Sequence, residues 1–189
     1  MASLSTNLVP NLSNAVVTAL TNEQVSSLTT DQLAGLSAAH IVAMSSSQLA
    51  ALDTAQLVTF STDQIVAIET LDVPGLREEQ LANLTTTQTA ALTTAQLAAL
   101  SSDQFGTLPT DQVSALTVSQ LSSLSTGKVQ QLNEAQLTTL SSTQLNGFTT
   151  SQVAALLSDQ IQSLTTAQVQ NLSTAKVAAL TGPQLDALL

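Results

Sequence analysis

The chain has 189 residues, of which 43% are apolar, only 8% charged and 2% aromatic, and thirteen acids against three bases give a formal charge of −10. That balance excludes a phosphate-reading surface and an anchor for anionic membranes, both of which need clustered Lys and Arg. With no cysteine, Trp or Tyr and a single histidine, disulfides, thiolate catalysis and cysteine zinc sites are excluded, and little is left from which to build an active site.

The first residues, Met1 to Asn7, have neither a basic n-region nor an apolar h-region and do not read as a Sec-type signal peptide. Ser, Thr or Gln interrupts every few positions along the whole chain. No run therefore approaches the roughly eighteen apolar residues of a membrane span, and no membrane insertion is expected.

From Leu4 the chain repeats every eight residues, and all twenty-four positions of that ladder, from Leu4 to Leu188, are apolar. A second ladder lies five residues after the first, from Val9 to Leu185, and Thr89 is its one polar member in twenty-three. The unit reads L-[ST]-[ST]-x-Q-[LVI]-x-x, as in Leu92-Thr93-Thr94-Ala95-Gln96-Leu97-Ala98-Ala99. One continuous helix cannot use this pattern. Eight residues at about 100° each rotate the leucine seam by roughly 80° per repeat, so no stripe forms. A strand fits poorly too, because odd spacings of five and three put the two ladders on opposite faces.

One very short helix per octad fits. The second position is Ser, Thr, Asp or Asn in nineteen of twenty-three octads and the fifth is Gln in seventeen. Twelve octads carry the complete S/T-x-x-Q capping box, among them Thr29 with Gln32, Thr93 with Gln96 and Ser141 with Gln144. The leucine before the cap and the aliphatic residue of the second ladder, such as Leu92 and Leu97, have the spacing of a hydrophobic staple. Eighth positions such as Gly35, Asn83, Gly147 and Asn171 suit a left-handed helix ending. A single octad is far too short to be stable alone. The predicted fold is therefore all-α: a single solenoid over 1–189, made of very short helices stacked on their neighbours. Leu92, Leu97, Leu100, Leu108, Leu116 and Leu124 represent the ladder that fills its axis, with Ser, Thr and Asp outside.

Departures from the repeat are few. His40 occupies a Gln position and reads as a Gln substitute in the cap rather than a ligand or base, since it has no second His and no Cys. Residues 68–79 lose the cap and the Gln and gain Pro74-Gly75, Arg77 and several acids. They read as a kink, with a recognition or ion site as the functional alternative. Asp31, Asp63, Asp103, Asp111 and Asp159 share the fourth phase, where the helix dipole explains them; a calcium ladder is the alternative. No EF-hand loop is present. Lys128 and Lys176, also at Gln positions, read as solvated variants. Neither a phosphate-cradling glycine loop nor a nucleophile–base constellation is visible, so no catalytic, cofactor or metal residue is assigned.

The octads resemble the L-[ST]-[ST]-x-Q-[LV]-x-x-L repeats of some very large secreted bacterial proteins of adhesin or hemolysin-like type. That resemblance implies an extracellular or cell-surface location, reached without an N-terminal Sec signal, and a structural role without catalytic residues; a cytoplasmic location stays open. Single octads such as Leu180-Thr181-Gly182-Pro183-Gln184-Leu185 also resemble the first helix of the repeats in transcription activator-like effectors. The second helix, the thirty-odd-residue period and the basic surface of those repeats are missing, so DNA reading does not carry over.

The sequence thus favours a non-enzymatic structural protein: a filament, stalk or surface-matrix component whose partner is itself. Leu4, Leu8, Leu185, Leu188 and Leu189 are the expected head-to-tail contacts, because the repeat runs to both ends without polar capping units. A binding scaffold, or adhesin segment, is the alternative, although Phe60, Phe105 and Phe148 lie on the core ladders and Arg77 stands alone as a surface anchor. Ice binding by ordered hydroxyls ranks below both, because many hydroxyls are already used as caps.

Overall fold

The computed structural model describes residues 6–188. The chain forms two compact units, divided between Ala99 and Leu100. The first begins with a 3₁₀ helix, Thr6–Asn11, followed by α1 (Asn14–Ala19), α2 (Asn22–Ser26), α3 (Thr30–Ala34) and α4 (Ala38–Val42). It continues through α5 (Ser46–Ala51), α6 (Thr54–Leu57), α7 (Thr62–Ala67), a 3₁₀ helix Val73–Gly75, α8 (Glu78–Ala82), α9 (Thr86–Ala91) and α10 (Thr94–Ala99). The second unit holds α11 (Ser102–Gly106), α12 (Thr110–Ala115), α13 (Val118–Ser122), α14 (Thr126–Gln131), α15 (Glu134–Thr139) and α16 (Ser142–Gly147). It ends with α17 (Thr150–Ala155), α18 (Ser158–Gln162), α19 (Thr166–Gln170), α20 (Thr174–Val177) and α21 (Gly182–Asp186). Among the described residues there is no strand, and no helix is long and apolar enough to cross a membrane.

The octad beginning at Phe148 shows why the helices start and stop where they do. Thr149 is extended (φ −70°, ψ 161°) and its hydroxyl accepts from the Gln152 N–H, while Gln152 Oε1 accepts from the Thr149 N–H at 2.6 Å. That reciprocal pair satisfies two donors that a helix start leaves without intrahelical partners. After six residues, Leu156 turns extended again (φ −58°, ψ 142°) and the next octad begins.

Helix endings differ from the left-handed termination expected at Gly35, Asn83, Gly147 and Asn171. No described residue has a positive φ. Gly35 (φ −78°), Asn83 (φ −98°) and Asn171 (φ −96°) stay on the right-handed side, and Gly147 is the last residue of α16. The reason is the shortness of the link. The leucine and the following cap are both extended, and two consecutive extended residues redirect the chain without a left-handed one.

Within each unit, a helix packs on the element three octads further along. In the first unit α2 meets α5, α4 meets α7, and α5 meets the 3₁₀ helix Val73–Gly75; in the second, α11 meets α14, α12 meets α15 and α14 meets α17. Such repeated contact between elements three octads apart is the packing of a solenoid. From Val25 to Leu164 every residue on both ladders is at most 9% exposed, including Thr89, whose hydroxyl donates to the Thr85 carbonyl at 3.1 Å. The irregular stretch lies inside the first unit. There the octad Ile68–Gly75 has a turn and the 3₁₀ helix in place of an α-helix, yet Ile68 (3%) and Val73 (1%) remain buried.

Candidate functional site

The most repeated piece of chemistry in the molecule is the glutamine at the fifth position of the octad. It belongs to the third residue of each helix, where its Oε1 can fold back to the cap N–H. Gln96 Oε1 accepts from Thr93 N–H at 2.8 Å, and the Thr93 hydroxyl accepts from Gln96 N–H at 3.1 Å. The corresponding distances are 2.7 and 3.2 Å for Thr29 with Gln32, and 2.8 and 3.2 Å for Ser141 with Gln144.

The amide nitrogen of the same side chain points the other way, between turns. Gln96 Nε2 donates to the carbonyls of Ile65 and Ile68, each at 2.8 Å. Those residues lie 31 and 28 positions earlier. They are the late carbonyl of a short helix and the carbonyl of its extended linker, among the acceptors that a helix end leaves open. The same pair recurs in the first unit for Gln48 on Val17 and Leu20, Gln64 on Leu33 and Leu36, and Gln80 on Leu49 and Leu52. In the second unit it recurs for Gln152 on Leu121 and Leu124, Gln168 on Leu137 and Leu140, and Gln184 on Val153 and Leu156. One amide therefore closes the start of its own helix and the end of a helix one turn back. A reach of 28 to 31 residues means that each turn takes between three and four octads. The side chains are buried to match: Gln80, Gln96, Gln112 and Gln136 are each 1% exposed.

Replacements at this position follow the same logic. His40, 4% exposed, accepts from the Ser37 N–H at Nδ1 (3.2 Å), and its Nε2 lies 2.8 Å from the Leu12 carbonyl. A neutral ring carrying its proton on Nε2 meets both demands. The lysines do not behave as solvated variants. Lys128 is only 7% exposed, and burial pushes its ammonium below the ordinary lysine value of 10.5. Lys176 is half-buried and its Nζ donates to the Phe148 carbonyl, 28 residues back. They lie inward because the backbone aims any fifth-position side chain between turns. Where the cap residue has no acceptor, the glutamine bond persists: Gln80 and Gln160 still accept from the N–H of Arg77 and Leu157. Pro109 offers no N–H, and Gln112 Oε1 is buried without a hydrogen-bond donor.

Leu92 (5%), Leu97 (0%), Leu100 (3%), Leu108 (3%), Leu116 (2%) and Leu124 (5%) all lie in the core. Of the expected end contacts, Leu8 is 55% exposed and Leu185 42%, while Leu188 borders an open hollow of about 220 Å³ with Leu164 and Val169. Leu4 and Leu189 lie outside the described residues. Among the described residues no three His, Asp or Glu side chains gather as a metal site would need, so the fourth-phase aspartates do not converge. The capping half of the glutamine's role is legible in the sequence, and the inter-turn half is not. Its signal is that the position is Gln in seventeen octads and Glu in none, although either residue completes a capping box.

Comparison with known proteins gives one family. The sequence model of the ALTTAQ repeat matches residues 30–62, 65–102, 73–110 and 129–166, which together exceed half the chain. The letters of its name occur in order at Ala91-Leu92-Thr93-Thr94-Ala95-Gln96, which carries one of the capping boxes described above. No curated protein matches the chain.

Proposed function

We infer the role of this chain from two premises: it belongs to the ALTTAQ repeat family, and within each unit its turns are joined by one interface used again and again. The reading is a non-enzymatic structural element, a stalk, filament or surface-matrix component of acidic, cysteine-free type placed outside the cell. Its partner is a further copy of itself, stacked end to end. The resemblance to repeats of large secreted adhesin-like proteins supports the location.

The observation that carries the reading is the polarity of the glutamine ladder. Every inter-turn bond described above for a fifth-position glutamine runs from its side-chain amide to a backbone carbonyl 28 to 31 residues earlier, whereas the seventh-position Gln130 donates forward to the Ala155 carbonyl at 2.8 Å. Each turn thus offers amide donors and capped helix starts on one face, and carbonyls and aliphatic residues on the other. A surface of this kind is complementary to its own translated copy. Stacking it makes a heterologous contact that extends without closing, the geometry of a fibre. The polar exterior and the fourth-phase acids keep the sides from associating.

Negative-stain electron microscopy across a concentration series tests this. Uniform fibres that lengthen with concentration are expected. Discrete short particles at every concentration would overturn end-to-end assembly.

A further inference from the structure

The octad Ile68–Gly75 leaves part of the side of the first unit open. Glu69 to Asp72 form a turn there instead of a helix, with the Asp72 N–H donating to the Glu69 carbonyl and the Gly75 N–H to that of Asp72, both at 2.9 Å. Leu71 is thereby 87% exposed, the most exposed large apolar side chain among the described residues. It borders a hollow of about 470 Å³, walled also by Val42 and Val66, each 46% exposed. The two valines share the seventh phase of octads three apart, where Ala is the commonest residue. Two of the three valines at that phase therefore face one hollow.

The rim is acidic and not neutralised from within. Glu69 lines the hollow and Asp72 follows Leu71 directly. The nearest cation in sequence, Arg77, donates to the Leu52 carbonyl at 2.8 Å and pairs with Glu79.

We propose that this hollow docks a short cationic, aliphatic segment of another protein. A branched apolar side chain enters between Val42, Val66 and Leu71, and a flanking Lys or Arg pairs with Glu69 and Asp72. Charge complementarity selects this occupant. A second copy of the chain brings the same acids to the contact. Of its three cations, Lys128 is buried, Lys176 is held by the Phe148 carbonyl, and Arg77 is already paired. An anionic membrane meets the same repulsion. The proposal stands apart from the stalk reading, because it concerns the side of one unit and not the stacking of turns.

The test is fluorescence anisotropy with a fluorescein-labelled peptide alternating Lys with Leu and Val, beside the same peptide with Glu in place of Lys. Saturable binding of the lysine peptide alone is expected. Leu71→Ser should weaken it about fivefold or more, and so should Glu69→Gln combined with Asp72→Asn. Leu157→Ser, which removes an apolar residue 51% exposed in the other unit, should leave it unchanged. The proposal is overturned by absence of saturable binding, by equal binding of both peptides, or by equal weakening in Leu157→Ser. A concentration-dependent dimer that Leu71→Ser disperses in sedimentation velocity would also overturn it, in favour of a second copy.

Discussion

The octads Leu92–Ala99 and Ile68–Gly75 lie in the same unit and differ in one respect. Both bury their ladder residues: Leu92 and Leu97 at 5% and 0%, Ile68 and Val73 at 3% and 1%. The first has Thr93 and Gln96 and forms α10, whereas the second has Glu69 and Asp72 at those positions and forms no α-helix. Aliphatic burial therefore holds the register, while the cap and the glutamine amide make each turn helical and bond it to the turn before. A solenoid built this way tolerates an occasional octad without a helix, because its neighbours still find apolar surface and carbonyls in place. Gln96 itself bonds the Ile68 carbonyl at the edge of the irregular octad.

That division of labour predicts that the two octads respond unequally to change at the fifth position. Gln96→Leu removes the acceptor of the Thr93 N–H and the donor to two buried carbonyls, and should cost about 2–4 kcal/mol in urea unfolding. Asp72→Asn, at the matching position, should change stability by less than about 0.5 kcal/mol. Equal losses would break the comparison. Gln96→Glu sharpens it: the carboxylate keeps the cap bond but faces two carbonyls with no proton to give. Folding then favours the protonated acid, so this variant should regain stability as pH falls and lose it as pH rises.

Gly75 is the next largest effect. A β-carbon there would stand 2.7 Å from Ser46 Cβ and 3.4 Å from the Ser46 backbone, at the place where α5 meets the 3₁₀ helix. Gly75→Ala should lower stability by about 1–3 kcal/mol, read as a fall in thermal midpoint. Gly182→Ala, with nothing within 4 Å, should not. A smaller gain is expected from Pro109→Thr, which restores both a cap hydroxyl and the N–H that Gln112 Oε1 lacks, raising stability by about 1 kcal/mol.

Much of this was written in the sequence, for identifiable reasons. The fold class follows from a period of eight that suits neither one helix nor a strand, and the cap follows from Ser or Thr three residues before Gln. The inter-turn bond was hidden because its acceptors are backbone carbonyls about 30 residues away, as at Leu121 for Gln152, and carbonyls have no sequence signature. The hollow beside Leu71 was hidden for a related reason: Pro74-Gly75 announces a turn without saying which side chains on the neighbouring turn become exposed. The number of octads per turn depends on how helices of four to six residues pack, which no single octad encodes.

The smallest effect tests whether burial or capping governs the fifth position. Lys128 lies where seventeen octads have Gln, and its ammonium has no acceptor for the Ser125 N–H. Burial lowers its folded-state value below the ordinary 10.5 of an unfolded chain. Below the lowered value both states are charged and the folded one bears the full cost of desolvation. As pH rises from there towards 10.5 the unfolded chain holds more protons, so the wild-type protein gains stability and the cost fades. Lys128→Gln should therefore stabilise at neutral pH by about 0.5–1 kcal/mol, combining a restored cap bond with relief of a buried charge. The chain has no Tyr or Cys, so few other groups titrate in the alkaline window. Urea unfolding of both proteins from neutral pH to above 10.5 then separates the two contributions. An advantage that shrinks with pH to a small constant remainder assigns the shrinking part to the buried charge and the remainder to the cap. An advantage independent of pH would mean that the ammonium reaches water, and that capping alone selects glutamine in this octad.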